Sequence, residues 1–186
     1  MDEEKYSFHA KVTPTQELYK EAYQTVIWHS WRPYLFIGIV LACLFLAGKA
    51  LYDGDYRNPS TISFAIYFLL LAVYPAWRLL SAPAKAARKY MKRLSEVFGE
   101  KVDCTNTYSF GDNAYHIHTA NGGDVDTAYS QIKSIYETKH GIVLKRAQDL
   151  FEVLDKSTVQ GGSLQEFRGF LEQKMSGAKF SWKHNA

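Results

Sequence analysis

The 186-residue chain contains only two cysteines, and their positions exclude several classes of site. Cys43 lies within a long apolar stretch and Cys104 in a polar region, so neither a disulfide framework nor a CxxC metal motif can form. The GxSxG and HExxH catalytic motifs are also absent. The sequence therefore predicts a protein that is not an enzyme, with no catalytic residues, cofactor or metal ion.

Charged residues are absent from two long stretches, residues 33–48 and 59–77. A helix needs about 20 mostly apolar residues to cross the hydrocarbon core of a membrane, and both stretches reach this length with their flanks. Aromatic residues lie near the expected membrane boundaries, at Trp28, Trp31, Tyr34, Tyr52 and Trp77. This pattern predicts a transmembrane helical hairpin, and a buried hairpin in a soluble protein is the alternative.

Within the apolar spans 34–48 and 62–77 the polar residues are few, namely Cys43 and Ser63, with Lys49 at the margin. Two spans without a buried charge do not make a transporter as a monomer. Gly38 and Ala42, four positions apart, permit close helix contact within the hairpin or between copies of the chain. Homo-oligomerisation is therefore left open.

The distribution of basic residues predicts the orientation of the hairpin. Lysine and arginine flank both stretches, whereas the connecting loop 53–61 is short and slightly acidic. By the positive-inside rule, both termini are expected in the cytosol. The first apolar stretch has no short basic region before it, so we expect no cleavable signal peptide.

The first 32 residues have the pattern of a strand followed by a helix. Residues 6–12 alternate between apolar and polar, and Thr13 then precedes Pro14 with the spacing of an N-cap and a first helical residue. The expected helix runs from Pro14 to Trp31. Its apolar side, which includes Leu18, Ala22 and Val26, suits either the bilayer surface or the C-terminal domain.

Residues 83–99 show apolar and basic stripes at helical spacing. The apolar stripe consists of Ala87, Tyr90, Met91, Leu94, Val97 and Phe98. The basic stripe consists of Lys85, Arg88, Lys89, Lys92 and Arg93. These basic side chains either bind anionic lipid headgroups or only fix the topology. They also account for most of the net charge of +3, so no nucleic-acid partner is expected.

From residue 102 the pattern changes to a period of two, which is typical of strands. The predicted strands are 102–110, 115–119, 132–138, 142–146 and 150–154, with turns at 111–113 and 121–124. Ser163 and Glu166 form a capping-box sequence, which predicts a final helix carrying Leu164, Phe167 and Leu171. The expected domain is a strongly bent antiparallel sheet closed by one helix.

One group of residues is a candidate metal site. His116 and His118 are expected on one face of a strand, with Cys104 on its neighbour. Structural zinc requires four ligands, and no fourth is evident here. We therefore expect the two histidines to belong to a solvated strand face.

Four sequence segments form a recognisable set, namely Tyr108-Ser-Phe-Gly-Asp-Asn-Ala-Tyr115, Tyr129-Ser-Gln-Ile-Lys-Ser-Ile-Tyr-Glu137, Gly141-Ile-Val-Leu144 and Leu164-Gln-Glu-Phe167. These segments resemble the YcxB-like protein family of bacterial membrane proteins. Members commonly have tryptophan where this chain has Tyr129, and a proline-lysine pair near Lys156. These departures argue against transferring any site. The resemblance implies a C-terminal domain of the pleckstrin-homology (PH) class and no known catalytic activity.

Together these observations predict an α+β membrane protein with a transmembrane hairpin and a cytosolic PH-like domain. The expected segments are 1–32 (strand and helix), 33–81 (hairpin), 82–99 (basic helix), 100–176 (YcxB-like domain) and 177–186 (tail). The expected function is a non-enzymatic binding or regulatory module at the inner leaflet of the bacterial cytoplasmic membrane. An immunity protein that intercepts a bacterial toxin is the alternative. The expected partners are membrane lipids and an unidentified protein.

Overall fold

A computed structural model describes residues 6–54, 58–99, 104–120, 122–146 and 150–182. The chain divides into two compact units. The helical unit is Ile27–Lys85, and the sheet unit combines Met1–Val26 with Ala86–Ala186. The fold is α+β, with two long apolar helices and two β-sheets.

The described residues form four α-helices and eight strands. The helices are α1 (Gln16–Trp28), α2 (Arg32–Asp53), α3 (Pro59–Phe98) and α4 (Leu164–Lys174). The strands are β1 (Phe8–Val12), β2 (Asn106–Phe110), β3 (Ala114–Thr119), β4 (Asp124–Ala128), β5 (Ser134–Glu137), β6 (Gly141–Lys145), β7 (Phe151–Asp155) and β8 (Lys179–Ser181).

The helices α2 and α3 are both long and apolar enough to cross a membrane. Only 6% and 17% of their most apolar segments are buried within the protein, so they differ from the core helices of a soluble domain. The helix α3 continues through Pro75 and Pro83 to Phe98. The apolar stretch 59–77 and the basic stretch that was predicted to start at Pro83 therefore lie on one helix.

The start of α1 corrects the sequence prediction. The helix begins at Gln16 because the Thr15 hydroxyl accepts a hydrogen bond from the Leu18 amide at 3.3 Å. The predicted cap, Thr13, instead lies within hydrogen-bond distance of the Thr105 hydroxyl. The helix ends at Trp28, three residues before the predicted end.

The sheet unit contains two four-stranded sheets rather than the single sheet that was predicted. The first sheet has the antiparallel order β1-β2-β3-β4. The second has the order β7-β6-β5-β8, and β8 runs parallel to β5. Strands β4 and β8 were not predicted, and the predicted turn at 121–124 ends where β4 begins. Residues 102–103 of the first predicted strand, the region around Gln148-Asp149 and residues 183–186 of the tail lie outside the described residues.

The core of the sheet unit lies among both sheets, α1 and α4. Its largest fully buried side chains include Phe110, Tyr115, Ile135, Leu144 and Phe167. Leu18, Ala22 and Val26 of α1 are buried in the same core, so the apolar side of α1 docks on the domain rather than on a bilayer. The capping box of α4 is confirmed, with the Ser163 hydroxyl accepting from the Glu166 amide at 3.2 Å.

Candidate functional site

The basic residues of α3 form an exposed surface in the sheet unit. Arg88, Lys89, Lys92 and Arg93 are all at least partly exposed, and we call these four residues the basic face. Lys92 forms an exposed ion pair with Glu96 at 3.5 Å. Among the described residues, no carboxylate forms an ion pair with the other three. The basic face therefore keeps most of its charge available for an anionic partner.

Lys85 belongs to the helical unit, and its surroundings differ from those of the basic face. Its ammonium lies 5.9 Å from the centroid of the Trp77 ring, within range of a cation–π interaction. Arg78 lies similarly over the ring of Phe36, at 5.7 Å. The predicted site residue Lys85 is thus positioned beside an aromatic ring.

The opposite side of this part of α3 packs into the sheet unit. Ala87 is fully buried, and the Tyr90 ring stacks on Tyr19 of α1 at a centroid distance of 4.2 Å. The Tyr90 hydroxyl donates to the Tyr19 hydroxyl at 3.0 Å, and burial raises the pKa of both phenols. Val97 and Phe98 remain exposed. The first helical turns of the apolar stripe therefore pack inside the sheet unit. The basic face, on the opposite side of α3, is directed outward.

A buried ion cluster joins α4 to the second sheet. The Glu137 side chain is only 1% exposed and accepts hydrogen bonds from Arg168 at 2.6 and 2.7 Å and from Lys156 at 3.0 Å. Burial by itself raises the pKa of Glu137, but these two cations lower it below its ordinary value overall. Because Glu137 stays ionised and fully paired, this cluster holds the fold together and offers no unpaired carboxylate for binding.

A second polar network lies between β3, β4 and β7. The Tyr115 hydroxyl donates to Glu152 at 2.6 Å, and Arg146 donates to Glu152 and, at 2.7 Å, to Thr127. Burial raises the pKa of Glu152, while its Tyr115 and Arg146 donors oppose that shift. Sequence patterning did not reveal either network.

The outer face of the first sheet brings the two predicted histidines beside two aspartates of β4. His116 Nδ1 lies 2.7 Å from Asp126, and His116 Nε2 lies 3.2 Å from Asp124. His118 Nδ1 lies 2.6 Å from the same Asp124 oxygen. These contacts raise the pKa of His116, chiefly through its hydrogen bond with Asp126. Within the described residues, Cys104 does not join them in a cluster of converging metal ligands.

A different set of side chains converges at the first turn of α1. Glu17 and Glu21 of α1 and His140, in the turn between β5 and β6, place ligand atoms within 4.8 Å of one another. It is the only such group among the described residues. Sequence spacing could not reveal it because His140 is 119 residues from Glu21.

Comparison with known proteins supports the resemblance over part of the chain. Residues 110–171 match the model of a family described as YcxB-like protein. No curated protein and no solved structure matches the chain. The match begins at the last residue of β2 and ends in α4, so it covers one third of the chain and about half of the sheet unit. The chain is therefore similar to the YcxB-like protein family over residues 110–171.

Proposed function

We propose that the chain is a non-enzymatic binding module anchored in the bacterial cytoplasmic membrane. In this proposal α2 and the apolar part of α3 span the bilayer, and both termini are cytosolic. The sheet unit acts as a PH-like domain at the inner leaflet, where it binds anionic headgroups and a protein partner. The two sheets and the helix α4 support the PH-like assignment, and the two exposed apolar helices support membrane insertion.

The outward orientation of the basic face is the observation that carries this proposal. Ala87 and Tyr90 are used in packing, so this part of α3 does not offer a complete apolar side for insertion between lipids. Binding would instead be electrostatic, at about 1 kcal/mol for each basic residue near an anionic surface. Such binding weakens as salt screens the charges.

The test compares the full-length chain with a variant in which Arg88, Lys89, Lys92 and Arg93 are replaced by glutamine. Each protein is placed in nanodiscs of phosphatidylcholine with or without phosphatidylglycerol, and hydrogen exchange of residues 86–98 is measured. We expect phosphatidylglycerol to slow exchange in the wild type at low salt. The quadruple variant should show no such protection.

Two matched controls separate local binding from general charge. Replacing the exposed residues Lys11, Lys20, Lys133 and Lys179 by glutamine gives the same net charge and should preserve the protection. Replacing Arg88 and Arg93 by lysine keeps the basic face charged and should preserve it as well. If the wild type and the quadruple variant showed equal protection from hydrogen exchange, the basic face would serve only as a topology signal.

The protein partner is assigned to the sheet unit because the spanning helices carry few polar groups. In this proposal, residues 102–175 recognise the partner. The hairpin anchors these residues at the membrane and so raises their local concentration there. Replacing residues 34–77 by an unrelated hairpin of the same topology should preserve binding of any partner identified by crosslinking in the native membrane. Loss of binding by a correctly inserted, folded chimera would place recognition within the bilayer.

A further inference from the structure

We propose that Glu17, Glu21 and His140 form a binding site for a divalent transition-metal ion, with Zn²⁺ as the probe. This site is independent of the basic face and of lipid binding. The donor set of two carboxylates and one imidazole suits Zn²⁺ or a neighbouring first-row metal. The ion would link α1 to the turn between β5 and β6.

The positions of the three side chains follow from the fold. Glu17 and Glu21 are four residues apart, so they lie on the same side of α1. The β5–β6 turn places His140 beside these two glutamates. The backbone of His140 is held by hydrogen bonds at both its amide and its carbonyl group. The His140 amide donates to Glu21 Oε2 at 3.1 Å, and its carbonyl accepts from the Lys156 amide at 3.0 Å.

The distances fit a site that needs little rearrangement. His140 Nδ1 and Glu21 Oε1 are 2.8 Å apart. Two donors that each lie about 2.0–2.1 Å from a tetrahedral zinc ion are separated by about 3.3 Å. The observed pair is therefore about half an ångström closer than that spacing, so the two groups would separate by this amount to admit the ion.

The position of Glu17 is not explained by the contact between His140 and Glu21. In the described part of the chain, no ion pair or hydrogen bond engages its carboxylate, although its ligand atom lies within 4.8 Å of those of Glu21 and His140. A divalent cation placed between these donors would be attracted to both carboxylates at once. A cavity of about 340 Å³ beside Glu17 and His140 leaves room for water on the open side of the ion.

The test is zinc binding by the full-length, tag-free chain in detergent, measured by calorimetry at pH 7.5 together with the thermal midpoint. We expect one zinc ion per chain with micromolar affinity, and a rise in the midpoint on the order of 5 °C at saturation.

The variants Glu17→Gln and His140→Gln should each weaken zinc binding at least tenfold. Glu17 is exposed and unpaired among the described residues, so Glu17→Gln should leave the zinc-free thermal midpoint unchanged. Asp126→Asn, which alters another histidine–carboxylate pair, is the matched control and should bind zinc like the wild type. No saturable zinc binding to the wild type, or a loss smaller than tenfold in either ligand variant, would overturn the proposal.

Discussion

The rings of Tyr19 and Tyr90 stack at 4.2 Å with their planes 17° apart, and the two hydroxyls share a hydrogen bond of 3.0 Å. This contact joins α1 to the part of α3 that carries the basic face. It excludes the apolar side of that turn from any role in lipid insertion.

Replacing Tyr90 should separate the two contributions of this contact. Tyr90→Phe keeps the stack and loses one hydrogen bond, so we expect a loss of about 1 kcal/mol in unfolding free energy. Tyr90→Ala also removes the ring and should cost about 3 kcal/mol. Thermal unfolding of the full chain in detergent, followed by near-UV circular dichroism, measures both.

Tyr74→Phe, at an exposed position on α3, is the control and should have no effect. Equal losses for Tyr90→Phe and Tyr90→Ala would show that stacking contributes nothing.

Glu137→Gln should destabilise the sheet unit by about 3 kcal/mol, because it leaves Arg168 and Lys156 without their shared carboxylate. The folded-state pKa of Glu137 lies below its unfolded value of about 4.5. The contribution of this residue is therefore fully present above that value and is lost as the pH falls through the lower folded pKa. Denaturant unfolding of wild type and variant at pH 7 and at successively lower pH measures the difference.

Glu96→Gln is the control for Glu137→Gln because the pair of Glu96 with Lys92 is exposed on both sides. It should change stability by less than about 1 kcal/mol. A gap between wild type and Glu137→Gln that persists unchanged at low pH would contradict an electrostatic origin.

Gly161→Ala should destabilise the chain through its backbone. Gly161 has φ +103°, and a Cβ atom there would lie 2.2 Å from the Ser7 carbonyl oxygen. We expect a loss of about 2 kcal/mol or more, because β1 must move to make room. Gly169 is helical, and a Cβ atom added there would meet no other atom within 4 Å, so Gly169→Ala should stabilise by about 0.5–1 kcal/mol. Thermal midpoints that move in the same direction for both variants would refute this account.

The helical features were predictable because their signals are local. The lengths of the apolar stretches, the basic stripe and the capping box of α4 all depend on residues within a few turns of one another. Strand β4 was missed because Asp124-Val-Asp-Thr-Ala128 has low intrinsic strand preference, and Val125 is 51% exposed. Its pairing with β3, with the two aspartates opposite the two histidines, establishes the strand.

The ion clusters could not be predicted because their partners are distant in sequence. Glu137 lies 19 residues from Lys156 and 31 from Arg168, and only the fold brings the three together. Strand β8 follows α4 and is three residues long, so no periodicity marks it. Its parallel pairing with β5 is possible because α4 returns the chain across the sheet unit.

The topology prediction can be tested directly in bacterial cells. Reporter fusions after Ala186 and within the loop 53–61 should show a cytosolic C-terminus and a loop on the opposite side of the membrane. Green fluorescent protein should fluoresce only at the C-terminal position, and alkaline phosphatase should be active only in the loop. The physical reason is that lysine and arginine beside both spans favour retention in the cytosol, whereas the loop has little positive charge.

Adding four lysines to the loop while replacing Arg88, Lys89, Lys92 and Arg93 by glutamine should weaken or invert this pattern. Alkaline phosphatase activity from the C-terminal fusion of the unaltered chain would contradict the cytosolic placement of the sheet unit and, with it, headgroup binding at the inner leaflet.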